Sequence, residues 1–295
     1  MAAIVRYAWS VLVLNIGVIL MGAVVRATGS GAGCGPSWPT CQGELIPELV
    51  GATSIEFAHR ALSGVALVMV LALAIWVWRH TAAHAPARTG ATLAVVAIVL
   101  EALIGAMIVL AEWVANDASA ARASAVPLHL VNTLFLLGAL TLTIFWLSGG
   151  GRLDWSMRRG VTRVVIIGGV ALVILSATGA ITALADTLFP KGGGDLTSAA
   201  HFLTRLRIVH PILAVTAASA GWWVAGRGRL PRGRPARALP ILVGLMLVTG
   251  ALNIALGVPV VIQVIHLALA DVLWVAYVLT SAGALAVPAP VSIRS

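Results

Sequence analysis

Charged residues are scarce in this 295-residue sequence: they make up 10% of it, and aspartate and glutamate together number only ten. A typical soluble protein has about 25% charged residues, and the mean hydropathy of +1.02 does not fit that class either. Apolar runs of about 18 residues or more, long enough to cross a bilayer as a helix, recur along the chain. The composition excludes a soluble globular protein and predicts an all-α polytopic membrane protein.

We predict eight transmembrane helices. Their approximate bounds are Tyr7–Val25, Glu56–Trp78, Thr89–Ala111, Val126–Leu147, Val164–Ala185, Phe202–Ala225, Leu239–Leu256 and Val260–Ala282. Only residues 257–259 separate the last two, so one long kinked helix is the alternative there. The first run lacks a small-residue cleavage site and is followed by Arg26, so we interpret it as a retained span rather than a signal peptide.

The net charge of +9 does not indicate a nucleic-acid partner, because thirteen of the nineteen basic residues fall in the N-terminus, the C-terminus and alternate loops. Those segments lie in the cytoplasm by the positive-inside rule, which predicts a cell-membrane protein with both termini cytoplasmic. The basic segment 227–237 is then a topology anchor beside membrane lipid.

Only two cysteines occur, and both lie in the segment TGSGAGCGPSWPTCQGELIP, residues 28–47. The predicted topology places this loop outside, in an oxidising compartment, which favours a disulfide between Cys34 and Cys41. Closing so short a ring would contribute about 2–3 kcal/mol.

Short matches between the halves indicate a duplication. IGAMIVL in the third span resembles TGALNIAL in the seventh, and LHLVNTLFLLGALTL in the fourth resembles IHLALADVLWVAYVL in the eighth. A repeat of four helices gives two four-helix bundles that enter from the same membrane face, as parallel repeats do. We predict an N-terminal half at 1–148, a cytoplasmic linker at 149–163 and a C-terminal half at 164–295.

Four of the seven histidines, His59, His129, His210 and His266, lie inside spans near the outer side, and each half contributes two. Intramembrane ionisable residues usually mark function, and facing imidazoles are typical of haem iron held from both sides. A bare zinc or copper ion would favour more clustered ligands. For any one of them, a buried histidine bonded to a backbone carbonyl is the alternative. His80, His84 and His201 lie in loops and are interpreted as solvated.

Glu56 precedes His59 by three residues, so the two side chains share a helix face. A surface ion pair of Glu56 with Arg60 and a carboxylate that moves protons beside a haem are both open interpretations. Arg207 stands at the matching position of the other half, which suggests that only the N-terminal half performs chemistry.

Guanidinium groups suit carboxylates, so Arg26, Arg60 and Arg207 are candidates for contact with haem propionates. Glu101 and Asp271 are the other carboxylates inside spans. For both, structural hydrogen bonding is favoured over a direct role.

The segments GAVVRATGSGAGCGPSWPTCQGELIP, EFAHR, PLHL and IHLALA resemble the haem A synthases, across all eight spans. The resemblance implies oxidation of the C8 methyl of haem O to a formyl group, which gives the haem A of haem-copper oxidases. It implies that Glu56 is the catalytic carboxylate, that His59 and His129 hold haem O, and that His210 and His266 hold a haem b cofactor. The Cys34–Cys41 pair matches the bacterial branch with a loop disulfide. This sequence lacks the second pair that some members carry in the C-terminal half.

Two other functions use the same ligands: a membrane haem chaperone or carrier, and a bis-histidine electron-transfer cytochrome. The partners expected from the resemblance are haem O, the haem O synthase and an electron donor that the sequence does not identify, and a homo-oligomer is left open.

Overall fold

The computed structural model describes residues 1–156, 159–189, 202–226 and 234–287, which fold almost entirely into helices. The helices are α1 (Ala2–Ala27), α2 (Gly51–His80), α3 (Pro86–Leu110), α4 (Ala120–Leu147), α5 (Arg159–Leu188), α6 (Phe202–Leu206), α7 (Val209–Gly226), α8 (Arg234–Ala255) and α9 (Val260–Leu285). Among the described residues, seven helices, α1 to α5, α8 and α9, are long and apolar enough to cross a membrane. The chain is therefore a multi-pass helical membrane protein, as its composition predicts.

The predicted sixth span, Phe202–Ala225, is wrong as one continuous helix. The chain leaves the helical path at residues 207–208, between α6 and α7. Pro211 explains the break, because a proline inside a helix clashes with the carbonyl four residues earlier, here that of Arg207. In the observed structure Pro211 falls in the first turn of α7, where its missing N–H is tolerated.

Six helices, α1 to α5 and α8, begin three to six residues earlier than the apolar runs suggest, and two of them bear on the site. Helix α2 begins at Gly51, five residues before the predicted Glu56. Helix α4 begins at Ala120 rather than Val126, and the Ser119 side chain caps it by accepting from the backbone N–H of Arg122 at 3.2 Å. A span is predicted from where the apolar residues start, whereas a helix continues until its end is capped. Glu56 therefore lies in the second turn of α2 and not at its first residue.

The last two predicted spans are separate helices. Helix α8 ends at Ala255 and α9 begins at Val260, and the two pack against each other. Gly257 and Val258 both adopt positive φ angles, of 73° and 64°, and reverse the chain. The single kinked helix is excluded.

The helices of each half pack in a ring. In the first half α1 contacts α2, α2 contacts α3, α3 contacts α4, and α4 contacts α1. In the second half the same order is made by α5, α7, α8 and α9. Small buried residues such as Ala8, Ala74 and Ala91 line the core of the first ring, which lets helix backbones approach closely where lipid provides no hydrophobic driving force.

Helices α1 and α4 of the first ring meet α5 and α9 of the second. Trp274 of α9 donates its indole N–H to the carbonyl of Leu134 on α4 at 2.7 Å. Its ring lies over Gly138, whose β-carbon would come within 3.6 Å of the indole nitrogen. The hydrogen bond of Trp274 therefore joins α9 of the second half to α4 of the first.

The two ends of the molecule are marked by different connections. Near one end lies the loop of residues 28–50, which we call the disulfide loop, and Gly31 of this loop lies beside Val114 of the α3–α4 connection. Near the other end the chain after α4 pairs with the end of α9, since Asp154 donates to Leu285 and Val287 donates to Arg152, both at 2.9 Å. This pairing falls within the predicted linker 149–163, and α5 begins inside that linker at Arg159. His201 and residues 227–233 of the basic segment lie outside the described residues.

We expect Trp274→Phe to destabilise the contact between the halves, because phenylalanine keeps the aromatic packing but removes the donor to Leu134. The lost hydrogen bond should lower the free energy of unfolding by about 1 kcal/mol, measured by thermal unfolding in detergent. Trp9→Phe is the matched control, since Trp9 is 39% exposed on α1. Equal melting temperatures for the two variants would contradict the assignment.

Candidate functional site

Each of the four intramembrane histidines faces a glycine on the long helix that precedes it. A β-carbon on the glycine would lie 3.1 Å from Cε1 of the ring for Gly22 and His59, 3.8 Å for Gly105 and His129, 3.1 Å for Gly179 and His210, and 3.4 Å for Gly250 and His266. Each imidazole therefore lies close to a helix backbone. The same contact occurs in four helix pairs, namely α1–α2, α3–α4, α5–α7 and α8–α9.

The glycines have a sequence signature that the analysis of the histidines missed. Each is followed by alanine: Met-Gly-Ala at 21–23, Ile-Gly-Ala at 104–106, and Thr-Gly-Ala at 178–180 and 249–251. The match between IGAMIVL and TGALNIAL already contained two of them. A search for a feature common to all four spans, rather than to two, would have found the rest.

In the second half the two histidines approach each other across the bundle. The ring centroids of His210 and His266 are 6.4 Å apart, and their planes are inclined at 85°. Two imidazoles that bind one metal from opposite sides, with bonds of about 2 Å each, would have centroids about 6 Å apart. The pair thus fits the spacing of two axial ligands of one haem.

Both histidines of the second half have partners at Nδ1. His210 Nδ1 lies 3.1 Å from the carbonyl oxygen of Leu175 and 3.3 Å from Thr178 Oγ1. His266 Nδ1 lies 2.8 Å from Thr249 Oγ1. Partners at Nδ1 leave Nε2 of each ring available to a ligand.

The first half differs in this respect. Nδ1 of His59 and Nδ1 of His129 are buried and have no well-aligned hydrogen-bond partner among the described residues. The nearest ion-pair candidate is Glu101, whose Oε1 is 3.1 Å from His129 Nδ1. Glu101 is itself held by the Thr133 hydroxyl and the Asn132 amide, both at 2.5 Å. A carboxylate inside a span is thus placed beside one of the candidate haem ligands.

Glu56 is a buried carboxylate, with 3% of its surface exposed. Its Oε1 forms an ion pair with Arg60 Nη2 at 2.6 Å, and its Oε2 accepts the backbone N–H of Cys34 at 2.8 Å. The ion pair that the spacing suggested does form, but it is not on the surface. A carboxylate that is kept from water and held in a fixed position can serve as a proton acceptor for a neighbouring group.

The disulfide loop encloses this carboxylate. Cys34 and Cys41 are bonded, with a sulfur–sulfur distance of 1.98 Å, as the sequence predicts. Arg60 Nη1 donates to the carbonyls of Ser37 and Thr40, at 2.6 and 2.7 Å, inside the same ring. The loop, Glu56 and Arg60 therefore form one hydrogen-bonded unit.

Gly33 lets the loop rest directly on the first turn of α2. A β-carbon at this position would lie 2.4 Å from the carbonyl carbon of Ala52, and Thr53 donates its hydroxyl to the Gly33 carbonyl at 2.8 Å. Only glycine allows so close an approach, which keeps Cys34 within reach of Glu56.

Arg26 and Arg207, candidates for propionate contacts, both bind protein groups. Arg26 reaches from α1 into the second half, where it donates to the carbonyl of Ala183 at 2.6 Å, to Thr187 at 2.5 Å and to Gln263 at 2.7 Å. Arg207 forms an ion pair with Asp186 at 2.9 Å and donates to the carbonyls of Ala185 and Phe189. Arg26 thus joins α1 to α5 and α9, and Arg207 joins the α6–α7 connection to the end of α5.

Asp271 on α9 is 1% exposed, and its Oδ2 has no hydrogen-bond partner among the described residues. The described residues also contain no group of three or more histidine, cysteine or acidic side chains arranged to hold a bare metal ion.

Comparison with known proteins identifies the class of protein. The family model of the cytochrome oxidase assembly proteins, COX15-CtaA, matches residues 5–52 and 48–278. The chain is also 32% identical over 261 residues to the heme A synthase of Staphylococcus aureus, and this match covers 84% of both chains. The protein is thus a membrane protein of cytochrome oxidase assembly. Within that class it belongs to the haem A synthase family, whose members work with haem.

A second relative is longer than this chain. The protoheme IX farnesyltransferase of Thermus thermophilus is 46% identical over 291 residues, which is 95% of this chain but 48% of the relative. The chain spans about half the length of this relative. The relative is therefore named for a protein that has a further segment of similar size.

The glycine contacts generate a prediction. Gly22→Ala should push the His59 ring from its place, because the added carbon would lie 3.1 Å from Cε1. Gly17→Ala on the same helix is the matched control, since a β-carbon there meets nothing within 4 Å, and alanine favours helix. We expect the first variant to bind less added haem than the wild type, measured by titration in detergent, and the second to bind as well as the wild type. Equal binding by both would show that the close contact is not needed.

Proposed function

We propose that this protein is a haem A synthase that oxidises the C8 methyl of haem O to a formyl group. The observation that carries the proposal is the buried carboxylate of Glu56, one helical turn from His59 and enclosed by the disulfide loop. The second half has no acid at the matching position, since Arg207 stands there. An acid three residues before the first histidine of one half, and a base at the matching position of the other half, fit one reaction centre and one cofactor.

The proposal includes eight membrane-crossing helices in two parallel repeats, with α6 and α7 together forming the sixth. The four glycine–histidine contacts and the two rings in the same helix order support this arrangement. In the first ring His59 and His129 hold the substrate haem O. In the second, His210 and His266 hold haem b, and their centroid distance of 6.4 Å fits that role.

Conversion of a methyl to a formyl carbon removes four electrons and four protons when the oxygen atom is counted as coming from water. It proceeds by two successive two-electron oxidations, through a hydroxymethyl group and a geminal diol that loses water. Haem b, held by His210 and His266, would supply one-electron transfer between the reaction centre and an external electron acceptor, which takes up the four electrons.

The protein side chains handle the protons. Glu56 accepts a proton at a carboxylate oxygen, and Arg60 together with the Cys34 N–H holds that carboxylate in place. The loop above it excludes bulk water, which strengthens these electrostatic contacts.

We propose that the protein lies in the cell membrane with both termini in the cytoplasm and the disulfide loop outside. The excess of basic residues in the alternate segments supports this orientation, and so does the bonded cysteine pair, which persists in an oxidising compartment.

The relative from Thermus thermophilus suggests a partner. A farnesyltransferase acting on protohaem makes the farnesylated haem that a haem A synthase consumes. A protein named for that activity contains a segment 46% identical to this chain. We propose that the chain receives haem O from such an enzyme.

Glu56→Gln tests the chemistry. The variant keeps the shape of the side chain but cannot accept a proton as a carboxylate, so formation of haem A should fall by about 100-fold or more. The measurement is extraction and chromatography of haems from cells supplied with haem O. Glu44→Gln is the control, because Glu44 is an exposed residue of the disulfide loop. Unchanged haem A formation in Glu56→Gln would refute the role of Glu56, and a wild type that binds haem O but never forms haem A would favour a carrier.

The assignment of the halves is tested by two further variants. His210→Ala should remove the low-spin haem b spectrum of the purified protein, because one axial ligand is lost. His59→Ala should leave that spectrum intact and impair binding of added haem O. Absorption spectra of the reduced proteins measure both outcomes. A haem b spectrum that survives His210→Ala and disappears in His59→Ala would reverse the assignment.

A further inference from the structure

The residue before each of the four glycines differs between the halves. In the second half it is threonine, Thr178 and Thr249, whereas in the first half it is Met21 and Ile104. We propose that the two threonine hydroxyls are positioning groups that lock the haem b ligands. This inference rests on the proposed function.

Hydrogen bonds fix the His210 ring. The carbonyl of Leu175 can only accept, so Nδ1 of His210, 3.1 Å away, carries the proton. The Thr178 hydroxyl donates to carbonyls of its own helix, those of Ile174 at 2.9 Å and Leu175 at 3.0 Å, so its oxygen is free to accept from His210. Protonation at Nδ1 leaves the Nε2 lone pair for the iron.

The same arrangement occurs at His266. Thr249 donates to the carbonyl of Leu245 at 2.8 Å, and its oxygen lies 2.8 Å from His266 Nδ1. The hydroxyl proton is used within α8, so the histidine is the donor. Two hairpins of one half thus hold their histidines by the same device, with the threonine next to the glycine that the ring contacts.

The first half uses other partners. Methionine and isoleucine offer no oxygen at the equivalent positions. Instead Glu101 Oε1 lies 3.1 Å from Nδ1 of His129, and a carboxylate oxygen that already accepts one hydrogen bond can accept another. The backbone carbonyl of Val18 lies beside His59. The threonine hydroxyls are thus specific to the second half.

Groups that bond the second nitrogen of a ligand histidine fix its tautomer and orientation, and their loss typically costs about 10- to 100-fold in metal affinity. The two threonine hydroxyls hold the rings of His210 and His266 in one orientation before the iron binds, so binding does not have to fix the rings as well.

The test is the double variant Thr178→Val and Thr249→Val, compared with Thr178→Ser and Thr249→Ser. Valine keeps the shape and removes the hydroxyl, whereas serine restores it. Thr216→Val is the control, because Thr216 on α7 is exposed and donates only to the Ile212 carbonyl of its own helix. The readouts are the rate at which haem b passes to an excess of a haem-accepting apoprotein, and the electron paramagnetic resonance g values of the ferric protein.

We expect the valine pair to lose haem b about tenfold faster or more and to show altered g values, while the serine pair and Thr216→Val behave like the wild type. A loss rate and g values unchanged in the valine pair would overturn the proposal. So would a serine pair that loses haem b as fast as the valine pair, because the effect would then come from packing.

A wild-type protein that holds no low-spin haem at all would refute the proposed function, and the inference with it.

Discussion

The contact of an imidazole ring with the bare backbone of a neighbouring helix is the constraint on which this structure depends. At Gly22 and Gly179 a β-carbon would lie 3.1 Å from the facing ring, which would have to move by a few tenths of an ångström. At Gly105 and Gly250 it would lie 3.8 and 3.4 Å from the ring, in ordinary van der Waals contact. The close contact brings a polar ring into the middle of a bundle without opening a cavity, in a medium where close van der Waals contact drives helix association. Four repetitions of this contact set which helices are neighbours and where each histidine stands.

The chemical difference between the halves is added to this common frame. The first half has Glu56, Arg60 and the disulfide loop, which form one hydrogen-bonded unit at the start of α2. The second half has threonines at Nδ1 of its histidines and Arg207 where the first has an acid. A duplicated scaffold can thus carry two chemically different sites without any change of fold, because the differences lie in the side chains and the loop around the same four rings.

Much of this could be predicted from the sequence. The apolar runs predict the spans because membrane-crossing helices must satisfy their backbone groups internally, and the cysteine pair predicts the disulfide because of its compartment. The break at residues 207–208 was missed because hydropathy does not register how Pro211 affects the carbonyl of Arg207. The burial of the Glu56–Arg60 pair was missed because it depends on the loop folding back over α2, and spacing along one helix cannot show that. The glycines were missed because their contact with the rings depends on how neighbouring helices pack, which spacing along one helix does not show.

Arg26 has a consequence for how the two halves work together. It lies one turn beyond Gly22 on α1, and it binds Ala183, one turn beyond Gly179 on α5, and Gln263, three residues before His266 on α9. A slide of one bundle along the other would break these bonds, so one partly buried guanidinium holds the two histidine pairs at a constant separation.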